Sequence, residues 1–274
     1  MKLVILDLDN TLIDSDYRLT VTDDEFRSVV KQLAARDIRV GLCSDSAAIT
    51  LCQWADRLQL TGPIISERGA VIWDPAQRLE EILDVSDTAW LPELRTAFIG
   101  SALKVLPEAT FVIGDATRFV KTQHVNPAIT NKLFAVNGFR VASFSLFAYR
   151  PSPDRSLLVP DPDLLQKAST LVCELLDTYG RKKEDLFWDE NPEYGVLIVH
   201  ASTTEKRRGI SAVIERLSPT ETIMVGDGMA DFLDLPQVVQ HAVGNADPRY
   251  KAKSDFVARQ PLTVGVIECL RQCL

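Results

Sequence analysis

Residues 2–12 read Lys-Leu-Val-Ile-Leu-Asp-Leu-Asp-Asn-Thr-Leu. Residues 2–8 form an almost continuous apolar run, the pattern of a parallel strand buried on both faces. Asp7 and Asp9 stand where that run ends. In an open α/β sheet, ligands bind beyond the carboxyl ends of the strands. Strand side chains alternate, so positions 7 and 9 can face the same side. Two carboxylates held that close repel unless a cation lies between them or one is protonated. Capping the turn into the next helix needs one aspartate, not two.

The flanking sequence repeats a strand–helix rhythm. Thr22 and Glu25 form a capping box ahead of a helix whose Phe26, Val29, Val30, Leu33 and Ala34 share one face. Ile38 to Cys43 reads as the second strand, 47–58 as the next helix, and Ile64 and Ile65 open another strand. The rhythm returns near the end of the chain. A helix runs from Lys206 to Leu217, a strand from Thr222 to Val225, then come a short helix, strands at Ala242-Val243 and Phe256-Val257, and a last helix. Such alternation predicts a parallel sheet covered on both faces. The middle differs. Residues 110–150 contain strand-like segments such as Phe144 to Tyr149, a helix follows from Pro162 to Tyr179 with Asp161 as N-cap and Gly180 as its stop, and residues 185–200 return to strand, with Leu197, Ile198 and Val199. That order suits an antiparallel sheet with helices on one side. The expected organisation is a core of residues 1–79 and 201–274, with an α+β domain of residues 80–200 inserted into it.

The chain has 274 residues, a formal net charge of −8, 46% hydrophobic and 25% charged residues. The length fits one large domain or two modest ones, at roughly 100–200 residues each. The acidic balance argues against broad binding to nucleic acid or anionic membranes, although a local cation can invert the sign inside one cleft. Asp7 and Asp9 end the first apolar run too early for a signal peptide, and no later run is long enough to span a bilayer. Cys43, Cys52, Cys173, Cys269 and Cys273 are an odd, scattered set with no CxxC pair, as expected of reduced thiols in the cytoplasm. No signal in the sequence fixes the oligomeric state.

Three further pieces bear on chemistry. Ser44 follows the second strand directly, where its hydroxyl is either a helix cap or a donor to a phosphate oxygen. Lys206 opens a helix and so opposes the helix dipole; a nearby anion offsets that cost, and without one it is a solvated lysine like Arg207 and Arg208 beside it. Gly226-Asp227-Gly228-Met229-Ala230-Asp231 follows a strand, and its two aspartates, four apart, can face one spot across a helical turn. This is neither a dinucleotide fingerprint nor a P-loop. Aspartates in such a loop repel phosphate unless a metal bridges them, and hard oxygen ligands point to magnesium.

Taken together the pieces resemble the haloacid dehalogenase-like hydrolase superfamily. Its DxDxT motif is matched by Asp7, Asp9 and Thr11, its second-strand Ser or Thr by Ser44, its lysine by Lys206, and its GDxxxD motif by Asp227 and Asp231. The insertion between Ser44 and Lys206 is similar to the subgroup with a large α/β cap there, which includes the Cof-type, sucrose-phosphate and archaeal phosphoglycolate phosphatases. The resemblance implies a doubly wound, Rossmann-like parallel-sheet core with an inserted α+β cap. Departures concentrate near the expected cleft: Ser44-Asp45-Ser46 stands where relatives often carry Thr-Gly-Arg, Arg68-Gly69 where they carry Asn-Gly, and Ala230 where they carry Asn.

The resemblance also implies roles. Asp7 is the nucleophile and forms a phosphoaspartate; Asp9 is the general acid and then base. Asp7, the backbone carbonyl of Asp9 and Asp227 hold Mg²⁺, with Asp231 orienting its shell. Ser44 and Lys206 hold the phosphoryl group, and Asn10 is placed with them. Asp45, Arg68 and Asn245 are candidates for substrate contact, as are Arg118, Lys121, His124, Tyr149 and Arg150 in the inserted domain. The expected substrate is a small phosphoester, a sugar phosphate or a phosphoglycolate-like acid. A phosphomutase of the same fold and a low-turnover phosphate- or metal-binding regulator are the alternatives. His200 and His241 show no triad or metal spacing.

Overall fold

The computed structural model describes residues 1–75, 79–121 and 131–274. In chain order, the first stretch runs β1 (Lys2–Leu6), α1 (Asp23–Ala34), β2 (Ile38–Cys43), α2 (Ala48–Leu58), β3 (Ile64–Ser66), β4 (Val71–Asp74) and β5 (Leu79–Ile82). The middle stretch contributes α3 (Val85–Thr88), α4 (Leu91–Val105), β6 (Thr110–Gly114), α5 (Ala116–Lys121), β7 (Leu133–Asn137), β8 (Ser143–Pro151), β9 (Leu158–Pro160), α6 (Pro162–Leu176), β10 (Leu186–Asn191) and β11 (Val196–Ala201). The last stretch is α7 (Lys206–Leu217), β12 (Glu221–Gly226), β13 (Val238–Ala242), α8 (Pro248–Lys251), β14 (Phe256–Val257) and α9 (Leu262–Gln272).

These elements form two compact units, Met1–Leu83 with Glu205–Leu274, and Asp84–Thr204. The boundary expected at residue 79 falls short because β5 pairs antiparallel with β4 and so belongs to the first unit. The first unit is built on one sheet of strand order β14-β13-β12-β1-β2-β3-β4-β5. From β14 to β3 all pairs are parallel, and Val4, for example, lies between Val40 and Ile223. At the far edge, β3–β4 and β4–β5 are antiparallel, so the sheet is mixed rather than wholly parallel. Leu3 and Ile5 pack on one face with Ile210, Val213 and Met224; Val4 and Leu6 pack on the other with Phe26, Val30 and Leu270. Both faces of β1 are therefore covered by helices, which is why its sequence lacks polar alternation.

The second unit has the sheet order β10-β11-β8-β7-β6, with β9 paired to β8. Phe134, Val136, Phe144, Leu146, Leu197 and Val199 turn to one face and pack against Leu94, Phe98, Leu165 and Val172 of α4 and α6. The antiparallel expectation holds for most pairs, but β6 and β7 run parallel. The expected helix from Pro162 ends its α turn at Leu176 and continues as a 3₁₀ turn to Tyr179, with Gly180 in the left-handed conformation. Among the described residues, no helix is long and apolar enough to cross a membrane.

Candidate active site

The site forms at the carboxyl ends of the two adjacent strands β1 and β12. β1 ends at Leu6, earlier than the apolar run does. The Asp7 N–H still donates to the Val225 carbonyl at 2.9 Å, so Asp7 is anchored to β12 while its carboxylate lies past the strand end. The chain then turns sharply: Asn10 has φ of 59°, and the Leu12 and Ile13 N–H groups both donate to the Leu8 carbonyl. This turn, rather than strand alternation, sets the relation of the two aspartates. Asp7 is 5% exposed, whereas Asp9 faces solvent.

Four charged side chains converge here from three segments. Lys206, the first residue of α7, donates to Asp7 Oδ1 at 2.6 Å and to Asp231 Oδ1 at 2.7 Å. Asp231 accepts on its other oxygen from the N–H groups of Asp227 at 3.1 Å and Gly228 at 3.2 Å. The expected helical turn over 227–231 is in fact a loop entering a 3₁₀ turn, Met229–Asp231, and Asp231 folds back to close it. Thr11 donates to Asp227 Oδ1 at 3.0 Å. Carboxylate oxygens of Asp7, Asp227 and Asp231 lie within 4.8 Å of one another.

One ammonium against three carboxylates leaves two negative charges in a largely buried spot. Burial pushes the Asp7 carboxyl well above the usual carboxylate range, the Asp231 charge adds to this, and Lys206 opposes it. Asp227 is also raised, by burial and then by Asp231, against the Thr11 hydrogen bond. For Lys206, burial works against the charged form, but Asp231 and Asp7 outweigh it and hold the ammonium well above its ordinary value. A cluster short of positive charge, built of hard oxygen donors, fits a divalent cation such as magnesium. Asp231 already spends both oxygens on Lys206 and two N–H groups, which suits it to orient the cluster.

Of the remaining sequence candidates, Ser44, Asp45, Arg68 and Asn245 belong to the first unit, and Tyr149 and Arg150 to the second. Ser44 is 2% exposed; its N–H donates to the Ile65 carbonyl, and its hydroxyl oxygen accepts from the Ser46 N–H at 3.1 Å. Arg68 Nη1 lies 3.3 Å from Asp45 Oδ2. Asn245 donates from Nδ2 to the Asn10 carbonyl at 2.7 Å and accepts from the Leu262 N–H at 2.9 Å, an arrangement that ties the β1 turn to α9. Tyr149 donates to the Tyr194 carbonyl at 3.1 Å within the second unit, and Arg150 is exposed. The side chains of Arg118 and Lys121, and all of His124, lie outside the described residues.

Comparison with known proteins adds a family. The haloacid dehalogenase-like hydrolase model matches residues 4–145 of the chain, a span that includes the β1 aspartates and Ser44. The chain belongs to the haloacid dehalogenase-like hydrolases. It is 23% identical over 255 residues to a glucosyl-3-phosphoglycerate/mannosyl-3-phosphoglycerate phosphatase of Methanococcoides burtonii, covering 90% of this chain and 87% of that one. Its fold is shared with a haloacid dehalogenase-like hydrolase of Bacteroides thetaiotaomicron, at TM-score 0.69, 18% identity, 100% of this chain and 99% of the other. It is shared as well with a subclass IIB sugar phosphatase of the same superfamily, at TM-score 0.57 and 16% identity, over 100% and 99% of the two chains. This hydrolase therefore has the Rossmann-like core of its family, with the α+β unit inserted between β5 and α7.

One contact at the cluster had no counterpart in the sequence reading: the Thr11 hydrogen bond to Asp227. Its signal was the threonine of the DxDxT pattern, but the partner is 216 residues away. His200 and His241 are both buried, His241 beside the Phe256 ring, and neither joins the aspartate cluster.

Proposed function

We propose that this hydrolase is a magnesium-dependent phosphatase that cleaves small phosphomonoesters through a phosphoaspartate on Asp7. The convergence of Asp7, Asp227 and Asp231 around Lys206 carries this reading. Asp7 and Asp227, with the Asp9 backbone carbonyl, are the residues that hold the metal, and Asp231 orients them. A divalent ion bound there would supply positive charge for the phosphoryl oxygens and would offset the repulsion among the carboxylates.

The chain's own groups divide the work. Asp7 attacks phosphorus; a bond forms from its carboxylate oxygen as the bond to the ester oxygen breaks, which splits one hard step into two. Asp9, exposed and two residues on, donates a proton to the leaving oxygen. It then takes a proton from the water that attacks the acyl phosphate, and inorganic phosphate leaves. Lys206 holds the Asp7 oxygen in place and presents positive charge to the transferring group, where positioning and neutralisation do most of the catalysis. In this reading the Ser44 hydroxyl and Asn10 donate to the phosphoryl oxygens. A sugar phosphate or a phosphorylated hydroxy acid is the substrate class, in keeping with the Methanococcoides burtonii relative's action on glycosylated phosphoglycerates.

Hydrolysis of p-nitrophenyl phosphate tests this directly. Saturable turnover should vanish with EDTA and return with Mg²⁺. Asp7→Asn should lose turnover while unfolding at an unchanged or higher temperature, since it removes a buried charge. Activity indifferent to chelation, or near-normal activity in Asp7→Asn, would overturn the assignment.

A further inference from the structure

Arg68 occupies a backbone conformation that its residue type avoids. Glu67, Arg68 and Gly69 have φ of 49°, 60° and 91°, three successive residues in the left-handed region. Each non-glycine residue there costs roughly 1–2 kcal/mol and persists only where its surroundings over-determine it. The surroundings do so here. The Glu67 N–H donates to the Ser46 carbonyl at 3.0 Å and the Arg68 N–H to the Ser44 carbonyl at 3.3 Å. On the other side, a Cβ on Gly69 would lie 2.1 Å from the Glu205 carbonyl oxygen and 3.2 Å from Lys206 Cα. Arg68 is thus clamped between the segment that carries Ser44 and the residue that carries the site's ammonium.

Its charge is used differently from that of Lys206. The Lys206 ammonium is committed to Asp7 and Asp231, both at hydrogen-bonding distance in a buried setting. The Arg68 guanidinium meets Asp45 at 3.3 Å in a pair that solvent reaches, with side chains 19% and 36% exposed. A guanidinium carries five donors in a fixed fork, so it can keep Asp45 and still meet an incoming anion. Arg68 and Lys206 line one cleft of about 250 Å³, whose walls also include Glu205, Arg207, Ala230 and Asp234. A guanidinium presents a planar fork of donors that matches a carboxylate in two hydrogen bonds, which an ammonium cannot do.

We propose that Arg68, held by Asp45, is a specificity-determining residue that recognises a carboxylate on the substrate a few bonds from its phosphoester. The inference rests on the phosphatase reading and narrows it to phosphorylated acids. It gives a use to a strained turn that metal binding and phosphoryl transfer leave unexplained.

The test compares kcat/KM for 3-phosphoglycerate and glycerol 3-phosphate, which differ by a carboxylate against a hydroxymethyl group, with p-nitrophenyl phosphate as a third probe. The native enzyme should prefer the acid about tenfold or more, the scale of a charge-assisted hydrogen-bond pair. Arg68→Asn keeps a residue that tolerates positive φ and removes the cation. It should collapse the preference to within about threefold of unity, mainly through KM for the acid. Arg68→Lys should restore part of the preference and not all of it. A native enzyme with no preference for the acid overturns the proposal, as does a preference that survives Arg68→Asn. A parallel fall with both substrates, the ratio unchanged, assigns Arg68 to holding the turn and overturns it too. Absence of p-nitrophenyl phosphate turnover in the native enzyme sinks the phosphatase reading first, so the two failures are distinguishable.

Discussion

Thr11 is completely buried, and its hydroxyl reaches Asp227 Oδ1 at 3.0 Å. That hydrogen bond fixes one oxygen of a carboxylate proposed to hold the metal and leaves the other to turn toward the cluster. Outer hydrogen-bond partners of metal ligands typically influence affinity by about 10–100-fold. Thr11→Val keeps the shape and removes the donor. It should raise the Mg²⁺ concentration for half-maximal activity by about that factor, with kcat largely recovered at saturating metal. An unchanged magnesium titration would show that Asp227 is held by other means. At this scale the sequence was informative about which residues matter and silent about how they meet. Asp7, Asp227 and Asp231 were legible as acidic positions at strand ends because ligands gather there in α/β sheets. The double engagement of Lys206 was not, because it joins side chains 199 and 25 residues apart and depends on where α7 docks. Nor was the separation of Asp7 from Asp9, since strand alternation does not hold beyond Leu6.

Helix α7 carries Lys206 to the cluster, and its docking is a backbone contact. A Cβ on Gly209 would lie 2.6 Å from Ile65 Cγ2 and 2.8 Å from Gly69 Cα. Neither neighbour can yield freely: Ile65 is fully buried in β3, and Gly69 belongs to the left-handed turn. Gly209→Ala gains helix propensity, which is worth up to about 1 kcal/mol. Overpacking costs about 1–3 kcal/mol and should win. The variant should melt lower, and because relief comes by pushing α7 outward, it should also lose kcat as Lys206 withdraws from Asp7. A stabilised, fully active Gly209→Ala would show that the helix has room. Elements whose periodicity was clean, such as α1, β2 and α7, were legible with their ends. Helix α4 was not: Leu91, Leu94, Phe98 and Ala102 are buried, but Leu103 and Val105 are exposed apolar residues that blur the stripe. Strand β5 was missed for the opposite reason, as Leu79–Ile82 carries two glutamates on an edge that needs no apolar run.

Each unit of the molecule has its own apolar core. Clusters around Val4, Phe26 and Leu270 and around Ile5, Ile65 and Met224 lie wholly in the first unit, and the cluster around Phe98, Phe144 and Leu197 lies wholly in the second. The aspartate cluster belongs entirely to the first. A chain of two cores is not expected to unfold as one two-state system. A ligand that binds only the native form of one unit stabilises that unit by mass action, about 2.7 kcal/mol at a hundredfold excess over its dissociation constant. For a unit of this size that is a rise of about 5–10 °C. Calorimetry should therefore resolve two transitions, and Mg²⁺ should raise one and leave the other in place. The separate fragment Asp84–Thr204 should unfold near the insensitive transition, and Asp227→Asn in the full chain should abolish the magnesium response. If Mg²⁺ moves both transitions together, the units are coupled in folding, and the metal's effect is not confined to the sheet edge that carries Asp7.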